Sequence, residues 1–182
     1  MHDHKGPVST AEQHSTVHFP DGLDLCDREL ILVQSENQDT VERARIEAFA
    51  QAYLEAKQLA TGYIEGAPLT KDQLEECLLK WAEFIEKQNK GYRTSEIKAT
   101  NGNRRASAQE VPRLMKRFLK ELAGPLDQNN LHRMTPTEFC REFQEICPFE
   151  KGNVRIGHLV WAFAIARETK RWPDKLPPDI FN

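Results

Sequence analysis

Residues 147–158 read CPFEKGNVRIGH, and this stretch decides how the rest of the chain is interpreted. One apolar helical run leads into it and another leads out, which predicts a loop between two helices. Gly152 or Asn153 is placed to cap the outgoing helix, and Arg155 lies in its first turn. A helix N-terminus offers free backbone N–H groups, to which an arginine adds a forked cationic donor. The pattern predicts a phosphate-binding loop, with an ordinary corner between helices as the alternative.

Length, composition and charge narrow the class of protein. The chain has 182 residues, 29% charged and 39% hydrophobic, with a formal net charge of −3. One domain with a sizeable core is expected, with no strong attraction to nucleic acid or to anionic membranes. No window is apolar enough to span a bilayer, and the four cysteines form no CxxC pair, so we expect a cytoplasmic protein with reduced thiols. The histidines near the start lack regular spacing, and no metal site is expected.

Helical periodicity dominates the chain and sets its predicted boundaries. Residues 1–22 are expected to be a flexible N-terminal tail, and 23–67 an N-terminal helical segment that starts with a short helix or an extended stretch. A main domain follows over 68–172, and 173–182 form an extended C-terminal tail. Within the main domain, Thr70 with Gln73 forms a capping box and Thr135 with Pro136 marks a helix start.

One stretch breaks the helical pattern. Residues 91–111 contain a run with strand character around Tyr92, Thr94 and Ile97, followed by the turn signal Asn101-Gly102-Asn103. The fold class predicted is therefore mainly α, a helical bundle with one small β-hairpin.

This order of elements, together with the central loop, resembles the Fic family (the Fic/Doc, or Fido, fold), whose signature is HxFx(D/E)GNGRxxR. The resemblance covers roughly residues 68–172. Three parts of the loop agree with the signature: Pro148-Phe149, Gly152-Asn153 and Arg155. Upstream, Gly91-Tyr92-Arg93, a hairpin and then Glu110-Val111-Pro112 look like the region of the family's flap.

In Fic proteins the loop binds the phosphates of a nucleotide and transfers AMP, or another phosphate-containing group, to a protein hydroxyl. This chain departs from the signature at the catalytic positions. Cys147 replaces the histidine base, and Lys151 replaces the acidic residue that holds magnesium; lysine does not ligate a hard cation. Val154 replaces the second glycine, where its branched side chain would crowd a pyrophosphate, and His158 replaces the second arginine.

The resemblance therefore implies a degenerate Fic-domain protein that keeps a phosphate or nucleotide site and acts by binding rather than by AMP transfer. Its phosphate-binding residues would be Lys151, Gly152, Asn153, Arg155 and His158. Phe149 would be the structural anchor of the loop. A nucleotide such as ATP is the candidate ligand, and Mg²⁺ is not expected.

Other interpretations of the loop stay open. An active transferase with non-standard chemistry would use Cys147 and Lys151 in place of the histidine and the acidic residue. Glu150 would supply the metal carboxylate if the loop shifted, or Cys147 would act as a covalent nucleophile with His158 as its base. As a base, Cys147 would be weak, because a helix terminus and Arg155 would lower its thiol pKa and favour the thiolate. The interpretation we favour is that Cys147 is a small buried hydrophobic residue in the place of the histidine. A purely structural or protein-interaction module is the remaining alternative.

Two further motifs follow from the family pattern. Thr61, Glu65 and Gly66 fit the inhibitory pattern (S/T)xxxE(G/N), in which the glutamate pairs with the second arginine; a plain helix end is the alternative. The flap arginines Arg93, Arg104 and Arg105 would dock a protein partner or target, although a solvated basic turn explains the last two equally well.

Overall fold

The computed structural model describes residues 17–36, 42–98, 104–126, 129 and 132–177. Six α-helices account for most of these residues, which confirms the mainly helical prediction. Their bounds are α1 Leu25–Glu36, α2 Arg43–Ile64, α3 Lys71–Ile85, α4 Val111–Ala123, α5 Pro136–Ile146 and α6 Asn153–Thr169. A single turn of 3-10 helix, Ala108–Glu110, precedes α4. None of the helices in this part of the chain is both long and apolar enough to cross a membrane.

The helix starts follow the capping chemistry that the sequence predicts. The Thr70 side chain accepts a hydrogen bond from the Gln73 N–H, and the Gln73 side chain accepts one from the Thr70 N–H. Thr135 and Glu138 form the same reciprocal pair at the start of α5. These bonds lower the pKa of the Glu138 carboxyl, because the charged form accepts them better. Both predicted starts are confirmed.

One hydrophobic core joins all six helices. Helix α2 packs against α3 and α6, α5 packs against α6, and α4 bridges α3 and α5. The core cluster extends from Leu23 to Leu176, so the predicted segments 23–67 and 68–172 share one interior. Its largest fully buried side chains are Trp81, Tyr53, Phe49, Phe118, Phe139, Phe143, Phe149 and Phe163.

Helices α5 and α6 approach each other closely at Gly157. A Cβ atom at this position would lie 2.2 Å from Nε2 of Gln144 and 3.2 Å from Cδ1 of Phe143. Gln144 in turn donates a hydrogen bond from Nε2 to the carbonyl of Asn153, at 3.0 Å. Because glycine has no side chain, α5 can pack closely against the first turns of α6. This close packing fixes the position of the loop between the two helices.

A buried polar cluster attaches α1 to the rest of the bundle. Asp27 accepts hydrogen bonds from Tyr53 at 2.9 Å and from Lys57 at 2.7 Å. The Tyr53 hydroxyl also accepts a bond from the indole of Trp172 at 2.8 Å. Burial raises the pKa of Tyr53, with Asp27 adding to the effect, so the phenol stays protonated as a donor. The region 23–33, for which the sequence allows a helix or an extended stretch, is helical from Leu25.

The predicted β-hairpin is wrong: the described residues contain no strand. Its two arms lie along the end of α5 instead of pairing with each other. The Arg93 N–H donates to the Pro148 carbonyl and the Ala106 N–H donates to the Glu145 carbonyl. The backbone groups that a hairpin would pair across strands thus bond to the end of α5 and the loop after it. The turn signal at 101–103, like residues 1–16 and 178–182 of the predicted tails, lies outside the described residues.

Candidate functional site

The α5–α6 loop (residues 147–152) reverses the chain between two packed helices. Cys147 ends α5 in the left-handed region, with φ of 49°, and Gly152 precedes α6 with φ of 78°. A Cβ on Gly152 would lie 2.8 Å from Cγ2 of Ile85 and 3.3 Å from Cγ of Glu86. Both the conformation and the contact with the end of α3 therefore favour glycine at this position.

Asn153 stabilises the loop rather than capping α6. Its side-chain oxygen accepts a hydrogen bond from the Phe149 N–H at 3.0 Å, and its amide donates to the Phe149 carbonyl at 2.8 Å. Gly152 takes the N-cap position, and within the described residues no side chain caps this helix. The first turn of α6 thus retains the backbone N–H groups that a side-chain cap would otherwise satisfy.

Asn89, just after α3, bonds to the opposite side of the loop. Its amide donates to the Lys151 carbonyl at 2.9 Å and to the Ala82 carbonyl at 3.1 Å. Its side-chain oxygen accepts from the Lys151 N–H at 3.3 Å. Asn89 is buried, so these bonds form away from bulk water and hold the loop firmly against α3.

Phe149 is fully buried beneath the loop. Its ring lies 5.7 Å from that of Tyr92 and 6.4 Å from that of Phe143, measured between centroids. Such tilted aromatic contacts add to the burial of the ring itself. Phe149 therefore packs into the hydrophobic core directly beneath the loop.

Arg155 is buried and pairs with a carboxylate from α3. It is 4% exposed, and its Nη2 lies 2.6 Å from Oε1 of Glu86, a residue just beyond the end of α3. Within the part of the chain that is described, Nη1 has no hydrogen-bond acceptor. Burial lowers the pKa of Arg155 and the bond to Glu86 opposes this, so the guanidinium stays charged. Nη2 would lie 3.5 Å from a Cβ on Gly152, which places the guanidinium beside the start of α6.

Arg93 also holds the loop, through hydrogen bonds at the end of α5. It is 2% exposed and donates to four backbone carbonyls. The acceptors are Cys147 at 2.6 Å, Ile146 at 3.2 Å, Ala106 at 2.5 Å and Ser95 at 2.9 Å. A guanidinium used in this way is inside the protein, so Arg93 is not at the surface where the sequence interpretation places it for docking a partner.

The thiol pKa of Cys147 is shifted in the opposite direction from the one that the sequence predicts. The residue is buried at the C-terminal end of α5, and burial raises its thiol pKa despite the nearby charges of Arg105 and Arg93. The expectation of a lowered pKa assumed the positive end of a helix beside the sulfur. The structure places the sulfur at the negative end instead, where a thiolate is disfavoured.

The remaining loop residues differ widely in exposure. Lys151 is exposed, Val154 is 37% exposed in the first turn of α6, and His158 is buried one turn further on. Glu150 accepts hydrogen bonds from the Ser95 hydroxyl at 3.0 and 2.8 Å. The described residues contain no group of three or more His, Cys, Asp or Glu side chains placed to hold a metal ion.

The other predicted motifs lie away from this cluster or at its edge. Glu65 is exposed at the end of α2, where its N–H donates to the Thr61 carbonyl, and Gly66 follows with φ of 97°. The carboxylate that pairs with Arg155 is that of Glu86. Arg104 is exposed, whereas Arg105 donates to the Gln144 carbonyl at 2.5 Å.

Comparisons with known proteins do not add to the resemblance described above. The chain matches no protein-family model, no curated protein and no solved structure. The resemblance to Fic proteins therefore remains an expectation from the loop residues and the order of elements, and the hairpin that formed part of that order is absent from the described residues.

Sequence reasoning missed two residues that define the site, Glu86 and Asn89. Glu86 directly follows the apolar stripe of α3, and Asn89 lies in a short polar connection. Neither position carries a local signal, because their partners are 69 and 62 residues away in the chain. Only the packing of α3 against the loop brings them together.

Proposed function

We propose that this protein binds a phosphate-bearing ligand, such as a nucleotide, at the N-terminus of α6 and does not transfer the phosphate group. The observation that carries the proposal is the pairing of two unsatisfied features. Helix α6 starts without a side-chain cap within the described residues, and the guanidinium of Arg155 beside it has one nitrogen without an acceptor. A phosphate oxygen would satisfy both, because it accepts from backbone N–H groups and from arginine.

Arg155 is buried, so a guanidinium nitrogen that lacks an acceptor within the described residues carries an energetic cost. A buried donor without an acceptor costs about 1–3 kcal/mol, and more when it belongs to a charged group. An anion beside the guanidinium would recover this cost and would also interact favourably with the positive end of α6. Exposed Lys151, next to the same helix end, adds a second positive charge for a ligand with several phosphates.

The carboxylate of Glu86 competes with an incoming phosphate for the guanidinium of Arg155. Its carboxylate accepts from Nη2 of Arg155 at 2.6 Å and is itself 27% exposed. An incoming phosphate would have to share the guanidinium with this carboxylate or displace it. We therefore expect modest affinity in the native chain and tighter binding once the charge of Glu86 is removed.

The proposal that transfer is absent rests on Cys147 and Lys151, which stand where the Fic signature has its histidine base and its acidic residue. The thiol of Cys147 is buried with a raised pKa, so it supplies little thiolate at neutral pH. Lys151 provides a cation where the Fic signature has a metal-binding carboxylate. Both features support binding without transfer of the phosphate group.

Calorimetric titration with ATP, and with inorganic phosphate as the minimal probe, tests the binding. Arg155→Met should weaken binding at least about tenfold, since it removes a charge-assisted bond worth about 1.5 kcal/mol or more. Glu86→Gln should strengthen it about threefold, because it keeps a hydrogen-bond acceptor but removes the competing charge. Glu83→Gln, a change at an exposed carboxylate near the end of α3, is the matched control.

Two results would contradict the binding proposal. One is a lack of detectable heat with either probe at millimolar concentration, and the other is binding that Arg155→Met leaves unchanged although the variant is folded. Either would favour the purely structural or interaction module. A separate incubation with labelled ATP addresses transfer: we expect no covalent label on the protein or on added lysate proteins, and labelling would establish the active-transferase alternative.

A further inference from the structure

A surface groove opens between α5, α6 and the segment that follows α6, away from the α5–α6 loop. Its volume is about 600 Å³. Cys140, Trp161, Leu176 and Pro177 line it with apolar surface, and Leu176 is itself part of the hydrophobic core. This volume is within the range of about 300–1,000 Å³ that small-molecule sites occupy.

The charges at the groove all have the same sign. Of the residues described, only Arg141 and Lys175 among its lining residues are charged, and both are cations. The nearest carboxylate to Arg141 is that of Glu138, which lies 3.9 Å away and is already bonded to the Thr135 N–H at 2.8 Å. An apolar trough with a cationic edge is complementary to a molecule that has an apolar body and one negative end.

The acidic residue beside Lys175 does not cancel this charge. Asp174 is 4.0 Å from Arg171, and no ion pair to Lys175 is formed within the described part of the chain. Burial raises the pKa of the Cys140 thiol, so it forms an uncharged wall at neutral pH.

We propose that this groove binds a small amphipathic carboxylate, a medium-length alkyl chain whose carboxylate lies against Arg141 and Lys175. The alkyl chain would lie along Cys140, Trp161 and Leu176, where each methylene leaves water for an apolar surface. The site is independent of the α5–α6 loop, so the two proposals can fail separately.

Decanoate is the probe, and the full chain is the sample. Affinity measured by calorimetry should rise from hexanoate to decanoate by up to about fourfold for each added methylene, as expected for apolar burial. Bound decanoate should slow alkylation of Cys140 by iodoacetamide, followed by mass spectrometry of the tryptic peptides. The exposed thiol of Cys26 serves as an internal reference whose alkylation should not change.

Charge and occupancy are tested with matched variants. Arg141→Gln combined with Lys175→Gln should weaken decanoate binding about fivefold and leave binding of the neutral analogue 1-decanol unchanged, whereas Lys120→Gln on α4 should alter neither. Affinity that does not depend on chain length, or alkylation of Cys140 that decanoate does not slow, would overturn the proposal. A third result would also overturn it. If the full-length double variant Ile180→Ser and Phe181→Ser showed faster alkylation of Cys140 in the absence of any ligand, the C-terminal end of the chain would itself be the occupant of the groove.

Discussion

Replacing Arg93 with methionine should destabilise the protein more than any other single change at the α5–α6 loop. Methionine keeps the length of the aliphatic stem and removes the guanidinium. Four backbone carbonyls, those of Ser95, Ala106, Ile146 and Cys147, then lose their donor. Because Arg93 is 2% exposed, water cannot replace all of these bonds without opening the structure around it.

The magnitude follows from these bonds. A hydrogen bond from a charged donor contributes about 1.5–3 kcal/mol net, but the carbonyls nearest the surface recover part of that loss from water. We therefore expect a loss of about 4 kcal/mol in the free energy of unfolding, out of a total of about 5–15 kcal/mol for a typical domain. With a urea dependence of about 2 kcal/mol per molar, the unfolding midpoint should fall by about 2 M.

Urea unfolding followed by circular dichroism measures this change, and amide hydrogen exchange locates it. Exchange should accelerate most in residues 147–152 and at the Arg93 amide, which donates to the Pro148 carbonyl. Arg113→Met is the control, since Arg113 is exposed and has a single ion pair with Glu110; its effect should stay within about 0.5 kcal/mol. A loss below about 1 kcal/mol for Arg93→Met would refute the reasoning, because the loop would then be held without the guanidinium.

Two further substitutions probe the neighbourhood of the loop. Gly157→Ala should lower the free energy of unfolding by about 1–3 kcal/mol, because the new Cβ would displace the Gln144 side chain and break its bond to Asn153. Thermal or urea unfolding measures this loss. An unchanged unfolding midpoint would contradict the prediction and would show that α5 can move away freely. Glu142→Gln should stabilise the protein by about 0.5 kcal/mol near pH 7 and by nothing below about pH 4. Burial, with Glu121 and Glu145 adding to it, raises the folded-state pKa of Glu142, so the stability linked to this carboxyl is present at low pH and is lost as pH rises through that pKa. A gain that is equal at both pH values would indicate a cause other than ionisation.

Local rules account for the helices and their ends. The capping box at Thr70 and the helix start at Thr135-Pro136 are both predicted from neighbouring residues, and the structure forms a capping box at each position. The apolar spacing likewise predicts a mainly helical chain, because helical periodicity is a property of the sequence itself. The loop between α5 and α6 is located correctly for the same reason.

The predicted hairpin failed because its signals were local and the competing bonds were not. The stretch around Tyr92 has strand character, but the N–H groups of Arg93 and Ala106 bond to the loop and to the end of α5, some 40–55 residues later. Arg93 decides the outcome, since a single guanidinium can serve carbonyls from both arms and from the loop. No pattern within residues 91–111 indicates where those acceptors would be.

The same long-range contacts change what the loop can do. A cap on α6 would have consumed its N–H groups, yet the residue best suited to cap, Asn153, is used to hold Phe149. That leaves the helix end open while Glu86 takes one side of Arg155. The loop is thus held by side chains from several elements, with a partly satisfied cation behind it, and this arrangement is the basis for proposing reversible binding of an anion. Removing the charge of Glu86 while keeping Arg155 is therefore the sharpest test of whether the loop is a binding site or a structural corner.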